Sequence, residues 1–268
     1  MSAVLRNNVR LLGPENAAAP AIVFAHGFGC DQNMWRFVAP RFAGQHRVVL
    51  FDHVGAGGSD LKAFDPQRYS TLGGYADDLL ELLHELDLHG VVFVGHSVAA
   101  MMGLLAANAE PDRFSGLVLV GPSPRYIDDE GYYGGFSANE IDELLESLDS
   151  NYLGWSSAMA PVIMGNADRP ELGEELTNSF CRTDPAIARQ FAEVTFRSDN
   201  RADLGKVSVP TLILQCSEDV IAPREVGAYC NANIPGSTLV VLDATGHCPN
   251  LSAPEETFAA ISGFLRTG

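Results

Sequence analysis

Ser97, His247 and an acidic residue between them in the chain have the types and order needed for nucleophilic catalysis. A serine hydroxyl at its ordinary pKa is a poor nucleophile. An imidazole has to take its proton, and a buried carboxylate has to fix the tautomer of that imidazole and stabilise the imidazolium. Ser97 sits in Val91-Val92-Phe93-Val94-Gly95-His96-Ser97-Val98, where an apolar strand pattern runs through the serine into a helical one. Gly95 keeps the tight bend clear of a side chain, the bend lifts the hydroxyl to the strand tip, and the helix that follows aims its positive end at developing negative charge. Ala99 stands where the second glycine of a GxSxG pattern is usual, one extra methyl at a crowded place. A late strand pattern ends in Cys216-Ser217-Glu218-Asp219, and the last one is followed by Gly246-His247-Cys248-Pro249. The chain order is then serine, acid, histidine. Asp219 is the best placed acid, with Glu218 and Asp243 as rivals. Cys248 adjoins His247, but side chains of adjacent residues do not readily face each other for proton transfer, so a cysteine nucleophile is the weaker reading.

A developing oxyanion needs donors as well. Phe24-Ala25-His26-Gly27-Phe28-Gly29-Cys30 follows the first apolar run, and its glycines let the backbone turn amides toward the serine. The N–H groups of Phe28 and of Val98, the residue after the serine, are the expected pair. Gly55-Ala56-Gly57-Gly58-Ser59-Asp60 looks like a dinucleotide loop but fails on count, with Asp60 where GxGxxG requires glycine. No GK[ST] occurs, and His26, His53 and His247 lack metal-ligand spacing, so neither a nucleotide cofactor nor a metal is expected.

Elements that position these residues are legible from apolar runs at 21–25, 47–52, 90–95, 116–121, 211–216 and 238–242. Helical patterns lie between several of them, such as Tyr75, Leu79, Leu82, Leu83 and Leu86. Alternation of this kind implies an α/β fold with a mostly parallel sheet flanked by helices, its chemistry on loops at the carboxyl ends of the strands. The rhythm breaks over 122–207, where no strand pattern appears. That stretch reads as an inserted helical cap between core segments 1–121 and 208–268. Ser137 and Glu140 make a capping box ahead of Ile141, Leu144, Leu145 and Leu148, a second stripe runs Tyr152, Trp155, Met159, Val162, and Asp184-Pro185 opens a third helix.

Seventeen Lys and Arg against 34 Asp and Glu give a formal charge of −17, which repels a polyanion, so nucleic acid is an unsuitable partner. The acidic run from Arg125 to Asp149 reads as a solvated helix face. No apolar run approaches the ~18 residues of a membrane helix and the first residues lack a signal-peptide pattern, so a cytoplasmic protein is expected. Five cysteines without a CxxC pair read as free thiols.

Over essentially its whole length the sequence resembles the α/β-hydrolase superfamily. More narrowly it resembles the RsbQ-type bacterial stress-response regulators and their plant relatives, the strigolactone and karrikin receptors. The matching stretches are His26-Gly27-Phe28-Gly29-Cys30-Asp31-Gln32-Asn33-Met34-Trp35, Gly95-His96-Ser97-Val98, Tyr132-Tyr133-Gly134-Gly135-Phe136 and Gly246-His247-Cys248-Pro249. At Ala99 the RsbQ pattern has glycine and the plant receptors have serine, so the subgroup stays open. The resemblance implies a helical cap over a small apolar pocket lined by Phe28, Tyr126, Phe136, Trp155, Met159 and Phe196. It implies a serine hydrolase acting on a small hydrophobic ester or lactone, or a ligand-binding signalling protein that activates a PAS-containing serine phosphatase in a sigma-factor switch.

Overall fold

The computed structural model describes residues 2–14 and 19–266. Its strands are β1 (Arg10–Leu12), β2 (Ala21–Ala25), β3 (Arg47–Leu50), β4 (Val91–His96), β5 (Phe114–Val120), β6 (Thr211–Glu218) and β7 (Thr238–Thr245). The described residues form one sheet in the order β1-β3-β2-β4-β5-β6-β7, parallel except for β1, which runs antiparallel to β3. β1 has no counterpart among the six apolar runs: Arg10-Leu11-Leu12 is a short edge strand without a buried face, so periodicity carries no signal for it.

The apolar runs are continuous because both faces of the sheet are covered, yet alternate residues go to opposite layers. Ile22, Phe24, Val94, Val118, Val120, Leu212 and Leu214 join one core, and Val23, Phe93, Leu117, Leu119 and Ile213 join the other. On the second face pack α1 (Leu72–Glu85), through Tyr75, Leu79, Leu82 and Leu83, and α2 (Val98–Ala109). α2 approaches β4 closely: a Cβ at Gly103 would lie 2.1 Å from the Phe93 ring.

Between β5 and β6 come α3 (Ala138–Ser150), α4 (Tyr152–Met164), α5 (Pro170–Cys181) and α6 (Pro185–Phe196). Ser137 and Glu140 form the reciprocal capping box that starts α3, whose Ile141 and Leu148 are buried while its acidic side chains face outward. Asp184 caps α6 by accepting from the N–H groups of Ala186 and Ile187. α5 was not foreseen, although Pro170 at its start and Leu172, Leu176 and Phe180 at four-residue spacing mark it in hindsight. These helices share the first core with the sheet through Trp155, Ile163, Met164, Leu176, Phe180 and Phe196. α7 (Arg224–Asn233) and α8 (Pro254–Leu265) complete the flanks. Among the described residues no helix is long and apolar enough to cross a membrane.

Candidate active site

Strand order reverses between β2 and β4, and Ala25 pairs with Gly95 across that boundary. The loops leaving these two strands therefore emerge side by side at the carboxyl edge, where a crevice forms in an open parallel sheet. Ser97 follows β4 at φ 57°, ψ −126°, a conformation held by its N–H donating to the Val120 carbonyl at 2.8 Å. A side chain at Gly95 has no room: its Cβ would meet the Ala99 oxygen at 2.7 Å and the Ala100 nitrogen at 2.8 Å, both backbone. Ala99 itself is fully buried in the first turn of α2 and is accommodated there.

His247, on the loop after β7, places Nε2 2.7 Å from Ser97 Oγ and Nδ1 2.7 Å from Asp219 Oδ2. The other oxygen of Asp219 accepts from the N–H groups of Ile221 at 2.8 Å and Ala222 at 3.1 Å. Burial works to raise this carboxyl, but His247 and the two N–H donors outweigh it and hold Asp219 below the ordinary carboxylate value. Asp219 is thus the acid that meets the imidazole. Glu218 and Asp243 are exposed, and the Glu218 carbonyl instead receives the Gly246 N–H at 2.7 Å. Gly121, at φ 57°, leaves space for the ring, since a Cβ there would lie 3.2 Å from His247 Cε1.

The backbone of His247 is held at both ends. Its N–H donates to the Ile163 carbonyl of α4 at 2.9 Å, and its carbonyl accepts from His96 Nε2 at 2.7 Å. Burial, then repulsion from His247, lowers the His96 pKa to about 3, so the ring stays neutral. Sequence reading passed over His96 because a histidine in a bend has no distinguishing pattern.

Phe28 and Val98 both flank Ser97. Val98 opens α2, so its N–H has no acceptor within the helix. His53 N–H donates to His26 Nε2 at 3.1 Å, which leaves the His26 proton on Nδ1 to be donated to the Gly27 carbonyl at 2.9 Å. With that carbonyl tied to the core side, the N–H of Phe28 in the same trans peptide faces the other way. Gly27 has to be a glycine, because a Cβ would sit 2.6 Å from His96 Nδ1 and 3.1 Å from Ser97 Cβ.

Above Ser97 is a cavity of about 30 Å³ lined by residues including Phe28, Ser97, Tyr126, Phe180, Thr195 and Phe196. Phe28 is its hub, with ring centroids 5.7 Å from Phe180, 5.6 Å from Phe191 and 6.2 Å from Phe196. The Tyr126 hydroxyl is 3.5 Å from Ser97 Oγ, and burial pushes its pKa up to about 12, so it remains a donor. Phe136, Trp155 and Met159, which the resemblance also implied, are not among the residues that line this cavity, although Trp155 meets Phe28 edge-on at 6.2 Å. Trp155 stacks behind Phe180 at 5.6 Å, while Phe136 and Met159 are half-buried against the core. Ile163, Leu176 and Phe180, which periodicity did not single out, line the cavity instead. Cys248 lines the cavity too, but burial pushes its thiol well above the usual range, which removes the thiolate that nucleophilic attack needs.

The glycine loop after β3 also finds its explanation. Asp52 accepts from the Gly58 N–H at 2.8 Å and Asn8 Nδ2 at 2.7 Å with one oxygen and from Gln32 N–H at 2.8 Å with the other. A Cβ at Gly57 would strike that carboxylate at 2.5 Å, so the loop wraps the chain's own anion.

A sequence model of the alpha/beta hydrolase family matches residues 22–261. The chain belongs to the α/β-hydrolase family. Within it, the chain is 40% identical over 250 residues to the karrikin insensitive 2 receptor CA of Petunia hybrida, covering 93% of this chain and 92% of that one. It is 40% identical over 260 residues to the strigolactone esterase D14 of Arabidopsis thaliana, covering 97% and 94%. Among solved structures, this α/β hydrolase superposes on a hydrolase from Oleispira antarctica with a TM-score of 0.95 at 41% identity, covering 99% of this chain and 97% of that one.

Proposed function

We propose that this α/β hydrolase is a serine hydrolase that cleaves a small, largely neutral ester or lactone through an acyl-enzyme. The observation that carries the reading is the continuous hydrogen-bonded line from Ser97 Oγ through His247 to Asp219, with both links at 2.7 Å. Ser97 gives its proton to His247 Nε2 as Oγ adds to the carbonyl carbon. Negative charge on the carbonyl oxygen is met by the N–H groups of Phe28 and Val98, a pair whose single members are worth about 3 kcal/mol each in such sites. The imidazolium, stabilised by Asp219, returns the proton to the leaving oxygen as the C–O bond breaks. In a lactone that oxygen stays tethered to the acyl group. Water then attacks the ester of Ser97, with His247 again taking and returning the proton. The aromatic and aliphatic walls favour a neutral substrate, in keeping with the esterase named among its 40%-identical relatives. Incubation with a serine-directed fluorophosphonate, followed by peptide mass spectrometry, is expected to place the adduct on Ser97 in the wild type and abolish it in Ser97→Ala. An adduct on another residue overturns the assignment.

A second reading is a signalling protein of the RsbQ kind, cytoplasmic and partnered by a PAS-containing serine phosphatase. It is favoured by the cavity, whose 30 Å³ is far below the ~300 Å³ of ordinary ligand sites. Admitting a ligand displaces the helices of the 122–207 cap and so alters the outer surface. Phosphatase activation that survives Ser97→Ala supports occupancy as the signal, and activation lost with hydrolysis assigns the signal to turnover.

A further inference from the structure

Several hydroxyls inside the helices of this protein turn back onto the preceding turn, while Ser179 of α5 instead donates to the Gly29 carbonyl at 2.8 Å. Ser156, Ser157, Thr177 and Thr257 each donate to the carbonyl four residues earlier, at 2.7 to 3.0 Å, the usual resting place for such groups. Thr195, near the end of α6, departs from this pattern. It is 1% exposed, its Oγ1 is buried without a hydrogen-bond partner, and it lines the cavity that holds Ser97. A buried hydroxyl without a partner is unfavourable, and valine would occupy the same volume without that cost. The surrounding wall is apolar, made by Phe28, Ile163, Leu176, Phe180, Phe196 and Ile221. Tyr126, the other hydroxyl in the cavity besides Ser97, is already turned to Ser97 Oγ. Thr195 is therefore a polar point on the helical side of an apolar chamber, apart from the Ser97–His247 floor.

We propose that Thr195 is a specificity-determining residue whose hydroxyl binds a second oxygen of the substrate, an ether, alkoxy or hydroxyl oxygen set apart from the reacting carbonyl. The favoured substrate class is then a small ester or lactone that carries such an oxygen, in preference to its all-carbon counterpart. This rests on the serine-hydrolase reading. A site shaped to hydrogen-bond an oxygen discriminates against the analogue that lacks it, because the protein hydroxyl is then left unpaired in the complex.

The test compares p-nitrophenyl pentanoate with two isosteric ether esters, the 2-ethoxyacetate and the 3-methoxypropanoate, in wild type, Thr195→Val, Thr195→Ser and Ser97→Ala. Intrinsic reactivity differences between the esters cancel when each variant is compared with wild type on the same ester. For at least one ether ester, Thr195→Val is expected to lower kcat/KM about tenfold relative to its effect on the pentanoate, and Thr195→Ser is expected to restore the wild-type preference. A purely structural role would move all three esters by one common factor. If Thr195→Val changes all three alike, or Thr195→Ser behaves as Thr195→Val does, the assignment of Thr195 is overturned while loss of activity in Ser97→Ala leaves the hydrolase reading standing. If Ser97→Ala hydrolyses the esters as wild type does, or wild type hydrolyses none of them, the hydrolase reading fails and takes this inference with it.

Discussion

Ser97 adopts a backbone conformation that ordinarily costs on the order of 1–3 kcal/mol, and the surroundings hold it there: Gly95 behind, the Val120 carbonyl on its N–H, and α2 ahead. What that strain secures is a hydroxyl at hydrogen-bond distance from an imidazole whose tautomer is set by Asp219. Asp219→Asn keeps the volume but lets the side chain donate to Nδ1, which moves the imidazole proton to Nε2, where it can no longer accept from Ser97. Steady-state kinetics are expected to show kcat falling by about 10⁴-fold with KM little changed; a loss under tenfold would contradict the role of Asp219. At this scale the types and chain order of the three residues were legible, because strand-end motifs announce a serine elbow and a late histidine. Asp219 was already the best placed acid within its motif, but excluding Glu218 and Asp243 was not possible from sequence, since it depends on how the chain turns after β6 and β7. Thr195 was equally hidden: a threonine in a helical stripe looks the same whether its hydroxyl meets the i−4 carbonyl or a cavity.

Three elements do most of the positioning. β4 and α2 meet at the bend, and Gly95 and Gly103 let them approach until side chain and backbone touch. Gly95→Val forces a side chain against the backbone of Ala99 and Ala100, which cannot swing aside as a rotamer can. Urea denaturation is expected to show a loss of about 2–4 kcal/mol, and stability within 0.5 kcal/mol of wild type would contradict the packing described. The third element is α4, which is tied to His247 through the Ile163 carbonyl and abuts that residue's loop so closely that a Cβ on Gly246 would lie 1.8 Å from the Met164 oxygen. All six parallel strands and the capped starts of α3 and α6 stood out in the sequence through apolar runs and capping residues, although the runs on β6 and β7 stopped short of the strands' last residues. β1 and α5 did not: one is a three-residue edge without a buried face, and the other is opened by Arg169, which makes no side-chain cap.

Across the whole molecule, three buried imidazoles tie stability to pH. His26 and His96 are lowered and His53 lies well below 6.5, in each case chiefly by burial. In the unfolded chain these histidines take up protons near pH 6.5, whereas the native protein keeps them neutral to lower pH, well below 6.5 for His53 and to about 3 for His96. Where the unfolded state binds more protons, stability rises with pH. Their contribution is fully present above pH 6.5 and is lost progressively as pH falls below it, by up to about 1.4 kcal/mol per unit for each histidine. Thermal scans are expected to show Tm level from pH 8 to 7 and falling steeply from 6.5 to 5, and a Tm unchanged down to pH 5 would contradict neutral burial of the three rings. The sheet and its flanking helices were legible from alternation alone, but the fit of α3–α6 against the sheet, which leaves so small a chamber, arises from side-chain packing that periodicity does not encode.

The central claim is that Ser97 carries the acyl group between two half-reactions. Rapid mixing with excess p-nitrophenyl pentanoate, quenched in acid within the first turnover and mapped by peptide mass spectrometry, tests it directly. The expected result is a burst of p-nitrophenol of up to one equivalent, matched by a pentanoyl adduct on the peptide that contains Ser97. Steady turnover with no acyl adduct at Ser97, and undiminished in Ser97→Ala, would contradict it.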